Sequence, residues 1–208
     1  MKRQENSQSL LPAGYRQLEY IESTGTQYII TNLTIGGHNH NVKWELDAQL
    51  TTSNGAILIG NAGTTSDRKT IYCYYALSSN AIECNCYNTA SGIRTATVSS
   101  TLSRFQCSMD FNDGVCTYNQ NNIFTLPIHP SIDTITQKTT IFCRLYAERD
   151  YSPVGLISAK LYGLTITIEN EEHRMYPAIR LSDSKPGLYD IADNTFYTNA
   201  GTGEFLYA

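Results

Sequence analysis

The residues best suited by type to do chemistry lie in the run Trp44-Glu45-Leu46-Asp47-Ala48-Gln49. In an extended strand, alternation puts Glu45, Asp47 and Gln49 on one face and Trp44, Leu46 and Ala48 on the other. Retaining glycoside hydrolysis requires two carboxyl groups about 5 to 5.5 Å apart, one a nucleophile and one an acid/base. The last position of this row is an amide, which cannot shuttle a proton. The row is therefore expected to be a solvated strand face, and the protein is expected not to be an enzyme. Nucleophilic catalysis has no better footing: no Gly-x-Ser-x-Gly is present, and His38, His40, His129 and His173 fall in expected turns as surface histidines. Gly36-Gly37 and Gly201-Thr202-Gly203 precede no helix whose N-terminus could hold a phosphate, so they read as turn residues. Asp110-Phe111-Asn112-Asp113 has the composition of a hairpin turn rather than of a calcium loop. No catalytic residue, metal ligand or cofactor is expected.

Six cysteines, Cys73, Cys84, Cys86, Cys107, Cys116 and Cys143, admit disulfides, metal ligation or burial as free thiols. Cys84-Asn85-Cys86 puts two sulfurs on one side of a strand, but no CxxC pair and no histidine at ligand spacing accompanies them. All six fall on apolar faces, where a free thiol acts as a small hydrophobe, and that is the expected state.

The elements that must position these residues have a period of two. Val42, Trp44, Leu46, Ala48 and Leu50 alternate with Lys43, Glu45, Asp47 and Gln49, and Ala56 to Gly60 is a short apolar strand. Ile71 to Leu77 and Ile82 to Tyr87 flank Ser78-Ser79-Asn80-Ala81. A two-residue loop at Ser79-Asn80 would set Cys73 opposite Cys86 and Tyr72 opposite Tyr87. A second hairpin carries Phe105, Cys107, Met109 and Phe111 on one stripe, turns at Asp113-Gly114, and returns through Cys116 and Tyr118. Further strands are expected at Thr140 to Ala147, Ile157 to Ile168 and Arg174 to Leu181, the last two joined by Glu169-Asn170-Glu171-Glu172. A closing hairpin runs from Leu188 to Ile191 and back through Thr195 to Tyr197. Trp44, Phe105, Met109, Phe111 and Phe142 are expected between two sheets. Alternation also leaves Tyr72, Tyr74, Asn85 and Tyr87 on one outer face, the candidate binding patch. Aromatic faces stack on sugars and amides add directional hydrogen bonds, so the patch suits a glycan; it equally suits a protein partner.

The 208 residues are 41% hydrophobic and 16% charged, with a net charge of −4. That balance, with Lys and Arg scattered, gives no basic stripe and excludes nucleic acid as the expected partner. No apolar run approaches membrane-spanning length, so no membrane insertion is expected, and the polar start reads directly into the domain without a secretory h-region. Residues 1–11 read as a polar N-terminal arm and 12–208 as one β-sandwich domain.

Two end segments carry more specific information: Gly14-Tyr15-Arg16-Gln17-Leu18-Glu19-Tyr20-Ile21-Glu22-Ser23-Thr24-Gly25-Thr26-Gln27-Tyr28-Ile29, and Lys185 to Gly203 with its Gly187-Leu188-Tyr189-Asp190 and Asn194-Thr195-Phe196-Tyr197. Each resembles the ends of laminin-G-like, concanavalin A-like jelly rolls found in phage structural proteins and in surface proteins of gut bacteria. The resemblance implies an all-β, concanavalin A-like (laminin-G-like) jelly-roll β-sandwich of two antiparallel sheets. Hydrolases of that fold carry Glu-x-Asp-x-Glu rows, from which Gln49 departs. The implied function is a non-enzymatic virion module, in a decoration, head-fibre or tail-associated protein. It would be assembled in the host cytoplasm and bind other virion proteins, copies of itself and host-surface glycans. The alternative is a carbohydrate-binding adhesion domain on a bacterial cell surface.

Overall fold

The computed structural model describes residues 10–38, 41–52, 56–61, 71–76, 81–86, 93–97, 102–125, 135–146 and 152–208. Among them the regular elements are all strands. In chain order they are β1 (Tyr15–Gln17), β2 (Ile21–Thr24), β3 (Ile29–Thr34), β4 (Val42–Leu50), β5 (Ala56–Asn61), β6 (Ile71–Ala76) and β7 (Ala81–Cys86). They continue as β8 (Ile93–Thr97), β9 (Phe105–Asp110), β10 (Val115–Tyr118), β11 (Asn121–Thr125), β12 (Lys138–Ile141) and β13 (Arg144–Tyr146). The last six are β14 (Ser152–Val154), β15 (Ser158–Ile168), β16 (Glu171–Arg180), β17 (Lys185–Asp190), β18 (Thr195–Thr198) and β19 (Leu206–Tyr207).

An 11-stranded sheet runs β11-β10-β9-β4-β15-β16-β17-β18, with β1 on β16, and β2 on β15 carrying β19. A 6-stranded sheet runs β3-β12-β5-β6-β7-β8, and β13-β14 form a separate pair. The pairings are antiparallel throughout. Trp44, Phe105, Met109, Phe111 and Phe142 lie in the main core at no more than 1% exposure. Burying each contributes about 1.5 to 3 kcal/mol.

The two end segments fold against each other. The Ala200 amide donates to the Tyr28 carbonyl at 2.8 Å, and the Tyr28 amide donates to Asn199 Oδ1 at 3.1 Å. A Cβ at Gly201 would stand 2.1 Å from the Thr26 carbonyl oxygen, so only glycine permits this approach. Ile179 and Leu188 point into the main core, while their neighbours Ala178 and Tyr189 form a second cluster on the opposite, outer face of the large sheet. Leu11 and the Tyr15 ring close over that cluster, with Tyr15 4.6 Å from Tyr189 and 5.1 Å from Phe196. Leu11, the last residue of the expected arm, is thus packed into the domain.

Several expectations are corrected. Cys73 pairs with Cys84, and Tyr72 with Asn85, in a ladder that runs from Ile71–Cys86 to Ala76–Ala81. The register differs by two residues from the one expected, a slip that keeps every side chain on its face. The single strand expected at Thr140 to Ala147 is broken at Phe142, whose φ of 68° ends β12 and sends β13 to a different partner. That bulky residue in the left-handed region is held by complete burial and by its amide, which donates to the Leu58 carbonyl at 2.9 Å. The turn between β15 and β16 is shorter than expected: Glu169, at φ 58°, and Asn170 suffice, and Glu171 already pairs with Ile168.

Candidate functional site

Strand β4 presents Glu45, Asp47 and Gln49 on the outer face of the large sheet, as alternation requires; Glu45 stays exposed, 3.0 Å from Lys43, while Asp47 and Gln49 are tied into a network. Asp47 accepts two hydrogen bonds from Arg104, at 2.7 and 2.9 Å. These bonds hold the Arg104 guanidinium above its ordinary pKa. Gln49 accepts from the Tyr162 hydroxyl at 2.9 Å and donates to the Leu102 carbonyl at 2.8 Å. Arg104 lies over the Tyr162 ring at 3.9 Å, Tyr20 meets Tyr162 edge-on at 5.5 Å, and Lys160 sits 4.1 Å over Tyr20. Burial raises the pKa of the Tyr162 phenol. The carboxylate that a hydrolase would need at position 49 is replaced by an amide with both ends engaged.

Beside this network the face opens into a groove of about 310 Å³. Its opening follows from a β-bulge. Opposite β4, register shifts between Leu161 and Gly163, so Tyr162 is the extra residue and both Leu161 and Leu164 stay in the core. The outward position after the bulge is Gly163, and a Cβ there would have no neighbour within 4 Å. Gln106 and Ser108 on β9, Thr117 on β10, Thr165 and Tyr176 on the neighbouring strands and Glu45 on β4 line the space. Ser108 and Thr117 share a hydroxyl contact of 2.7 Å across the β9–β10 hairpin. Gln120 reaches the same groove from a tight turn in which Asn119 and Gln120 have φ of 47° and 66°. The groove thus offers amide and hydroxyl donors and acceptors, a carboxylate and one aromatic wall.

The expected patch fares differently. β6 places Tyr72 and Tyr74 on either side of buried Cys73, and Asn85 pairs with Tyr72 on β7. The side chains of Tyr72, Tyr74 and Asn85, and Tyr87 altogether, lie outside the described residues, as do His40 and His129. The groove residues were missed for an identifiable reason. Gln106 and Ser108 were readable as the outward partners of the Phe105–Cys107–Met109 stripe, and Gly163 within a strand pattern is itself a bulge signal. The β10–β11 hairpin had no Asn-Gly to announce it.

His38 stays in a turn, 3.5 Å from Glu169. His173, expected at the surface, is 5% exposed on β16, and its Nδ1 lies 2.9 Å from Oδ2 of fully buried Asp190. It faces inward because its partner Ile166 does. Glu171, His173 and Asp193 each offer a ligand atom within 4.8 Å of the others, the group among the described residues able to hold a cation. The Asp110–Asp113 segment is a turn: Asp110 and Asp113 carboxylates accept from the Asn112 and Val115 amides, each at 2.9 Å.

No family model and no curated protein sequence matches the chain. Among solved structures it is similar to the native heptameric SAP-like pentraxin from Limulus polyphemus. That match has a TM-score of 0.52 and 8% identity, and covers 93% of this chain and 94% of the pentraxin. The galectin LEC-6 of Caenorhabditis elegans also matches, at a TM-score of 0.43 and 10% identity over 74% of this chain and 96% of the galectin. The chain has the concanavalin A-like jelly-roll β-sandwich fold.

Proposed function

We propose that this protein is a non-enzymatic binding module whose ligand is a glycan seated in the groove over Gly163. The observation that carries the reading is the opening itself: a bulge and a glycine clear space on a polar sheet face beside Tyr176. Sugar hydroxyls donate and accept at once, which matches Gln106, Ser108, Thr117 and Gln120, and an aromatic wall suits the apolar face of a pyranose. The engagement of Asp47 by Arg104 and of Gln49 by Tyr162 supports binding without hydrolysis.

The end-segment resemblance supports the wider setting, a phage virion with other virion proteins or copies of the chain as partners; a bacterial surface adhesion domain is the alternative. Self-association, as in the heptameric pentraxin, belongs to the same proposal. Deleting residues 1–9 should then leave the thermal midpoint unchanged while dissociating the oligomer in sedimentation.

A glycan array followed by calorimetric titration of the best binder tests the site. Gly163→Leu and Tyr176→Ala are each expected to weaken binding at least about tenfold, or about 1.4 kcal/mol. Affinity that survives both substitutions but is abolished by Tyr72→Ala or Tyr87→Ala would transfer the site to the other sheet. An array without any bound glycan would overturn the reading.

A further inference from the structure

Four of the six cysteines converge in the main core, two from each sheet. Cys73 on β6 and Cys84 on β7 belong to the smaller sheet, and Cys107 on β9 and Cys116 on β10 to the larger. None is more than 2% exposed. Within the first hairpin Cys73 stands directly opposite Cys84; within the second, Cys116 pairs with Met109 and Cys107 with Tyr118. Across the core, Sγ of Cys84 lies 3.4 Å from Sγ of Cys116. That is a contact between two thiols, longer than the roughly 2.05 Å of a disulfide bond.

We propose that Cys84 and Cys116 form a disulfide that staples the two sheets when the chain folds in the presence of a small disulfide oxidant such as oxidised glutathione. One cysteine loses its proton, and its thiolate attacks a sulfur of the oxidant, displacing one glutathione thiolate and leaving a mixed disulfide. The thiolate of the second cysteine attacks the protein-bound sulfur and displaces the second glutathione. The protein loses two electrons and two protons, and one glutathione disulfide becomes two glutathione thiols.

The structure also says when this takes place. In the folded state hydrogen bonding to Cys107, Cys116 and Cys73, together with burial, holds the Cys84 thiol well above its ordinary pKa. Hydrogen bonding to Cys107 and burial push Cys116 up as well. None of the four cysteines is more than 2% exposed, so a tripeptide oxidant has no route to them in the closed core. Exchange therefore belongs to folding, before the sheets close, and the reduced native protein resists the same oxidant. The choice of pair follows from topology. Cys73 and Cys84 are already held together by the ladder between β6 and β7. A Cys84–Cys116 bond closes a loop spanning 32 positions and joins two sheets.

The test refolds the full chain from guanidinium chloride in a glutathione redox buffer and, in parallel, in dithiothreitol, followed by peptide mapping without reduction. The expected product has lost about 2 Da, carries one bridge between the Cys84 and Cys116 peptides, and melts about 10 °C higher than the reduced protein. A Cys73→Ala, Cys107→Ala variant should keep both the bridge and the shift. The same mapping on chain exported to a bacterial periplasm gives a second reading that does not depend on refolding. Full alkylation of every cysteine after oxidative folding, or a bridge mapped to any other pair, would overturn the proposal.

Discussion

The outer face of the large sheet is divided into two halves that share strands but have opposite fates. Over β16 to β18 the outward positions are Ala178, Tyr189 and Phe196, and Leu11 and Tyr15 close over them as a second small core. Over β9, β4 and β15 the outward positions are Gln106, Ser108, Glu45, Asp47 and Thr165, and the groove opens among them. Tyr176 stands at the boundary, packed against the covered cluster on one side and lining the groove on the other. The open half carries the bulge at Tyr162 and Gly163, and the two halves differ further in whether their outward residues can bury apolar area. Where they can, the chain uses them for stability, and where they cannot, a surface is left for a ligand.

Substitutions should separate the halves by the size of their effect on stability. The largest is expected at Gly187 in the covered half. A Cβ there would stand 2.2 Å from the Tyr197 carbonyl oxygen and 3.0 Å from the Phe196 ring, so Gly187→Ala should cost about 3 kcal/mol or more by urea denaturation. Tyr15→Ala removes two ring contacts and uncovers Tyr189, for an expected loss of about 2 kcal/mol. A Tyr15→Ala protein as stable as wild type would mean that the cover is only laid over the sheet. In the open half, Gly163→Leu meets no atom at its first carbon and should shift stability by no more than about 0.5 kcal/mol. A large loss there would erase the distinction.

The smallest effect concerns the rim of the covered half, where Arg180 lies 5.2 Å over the Phe196 ring and donates to Asp183 at 2.7 and 3.0 Å. Those bonds lower the Asp183 pKa below 3.8. A carboxylate depressed on folding stabilises the fold above its unfolded pKa and loses that contribution as pH falls through the folded value. The carboxyl resonance of Asp183 should therefore titrate below pH 3.8, with little change in the melting curve at neutral pH; a midpoint at or above 3.8 would remove the ion pair from the account.

How much of this was legible beforehand depended on whether the signal was local. The Trp44 stripe, the Asp113-Gly114 hairpin and the closing hairpin were readable because alternation and turn chemistry act within a few residues. So was the placement of Glu45, Asp47 and Gln49 on one face. The candidate site was not readable in the same way, since its residues come from strands far apart in the chain and no spacing marks them as neighbours. Gln49 could be named as the wrong residue for a hydrolase, yet its two hydrogen bonds, to Tyr162 and Leu102, lie 113 and 53 positions away.

By itself, then, the amino-acid sequence determined an all-β chain, the inward residues of its strands, and the two end segments that frame the domain. Only the tertiary structure decided the register of Cys73 against Cys84, the break at Phe142, the burial of His173 beside Asp190, and the bulge that opens the groove at Gly163. The physical reason is that a side chain's face is set by its own backbone, two residues at a time. Register, strand breaks and bulges are set by which distant partner completes the hydrogen-bond ladder and fills the core, and a slip by two residues leaves the local pattern unchanged.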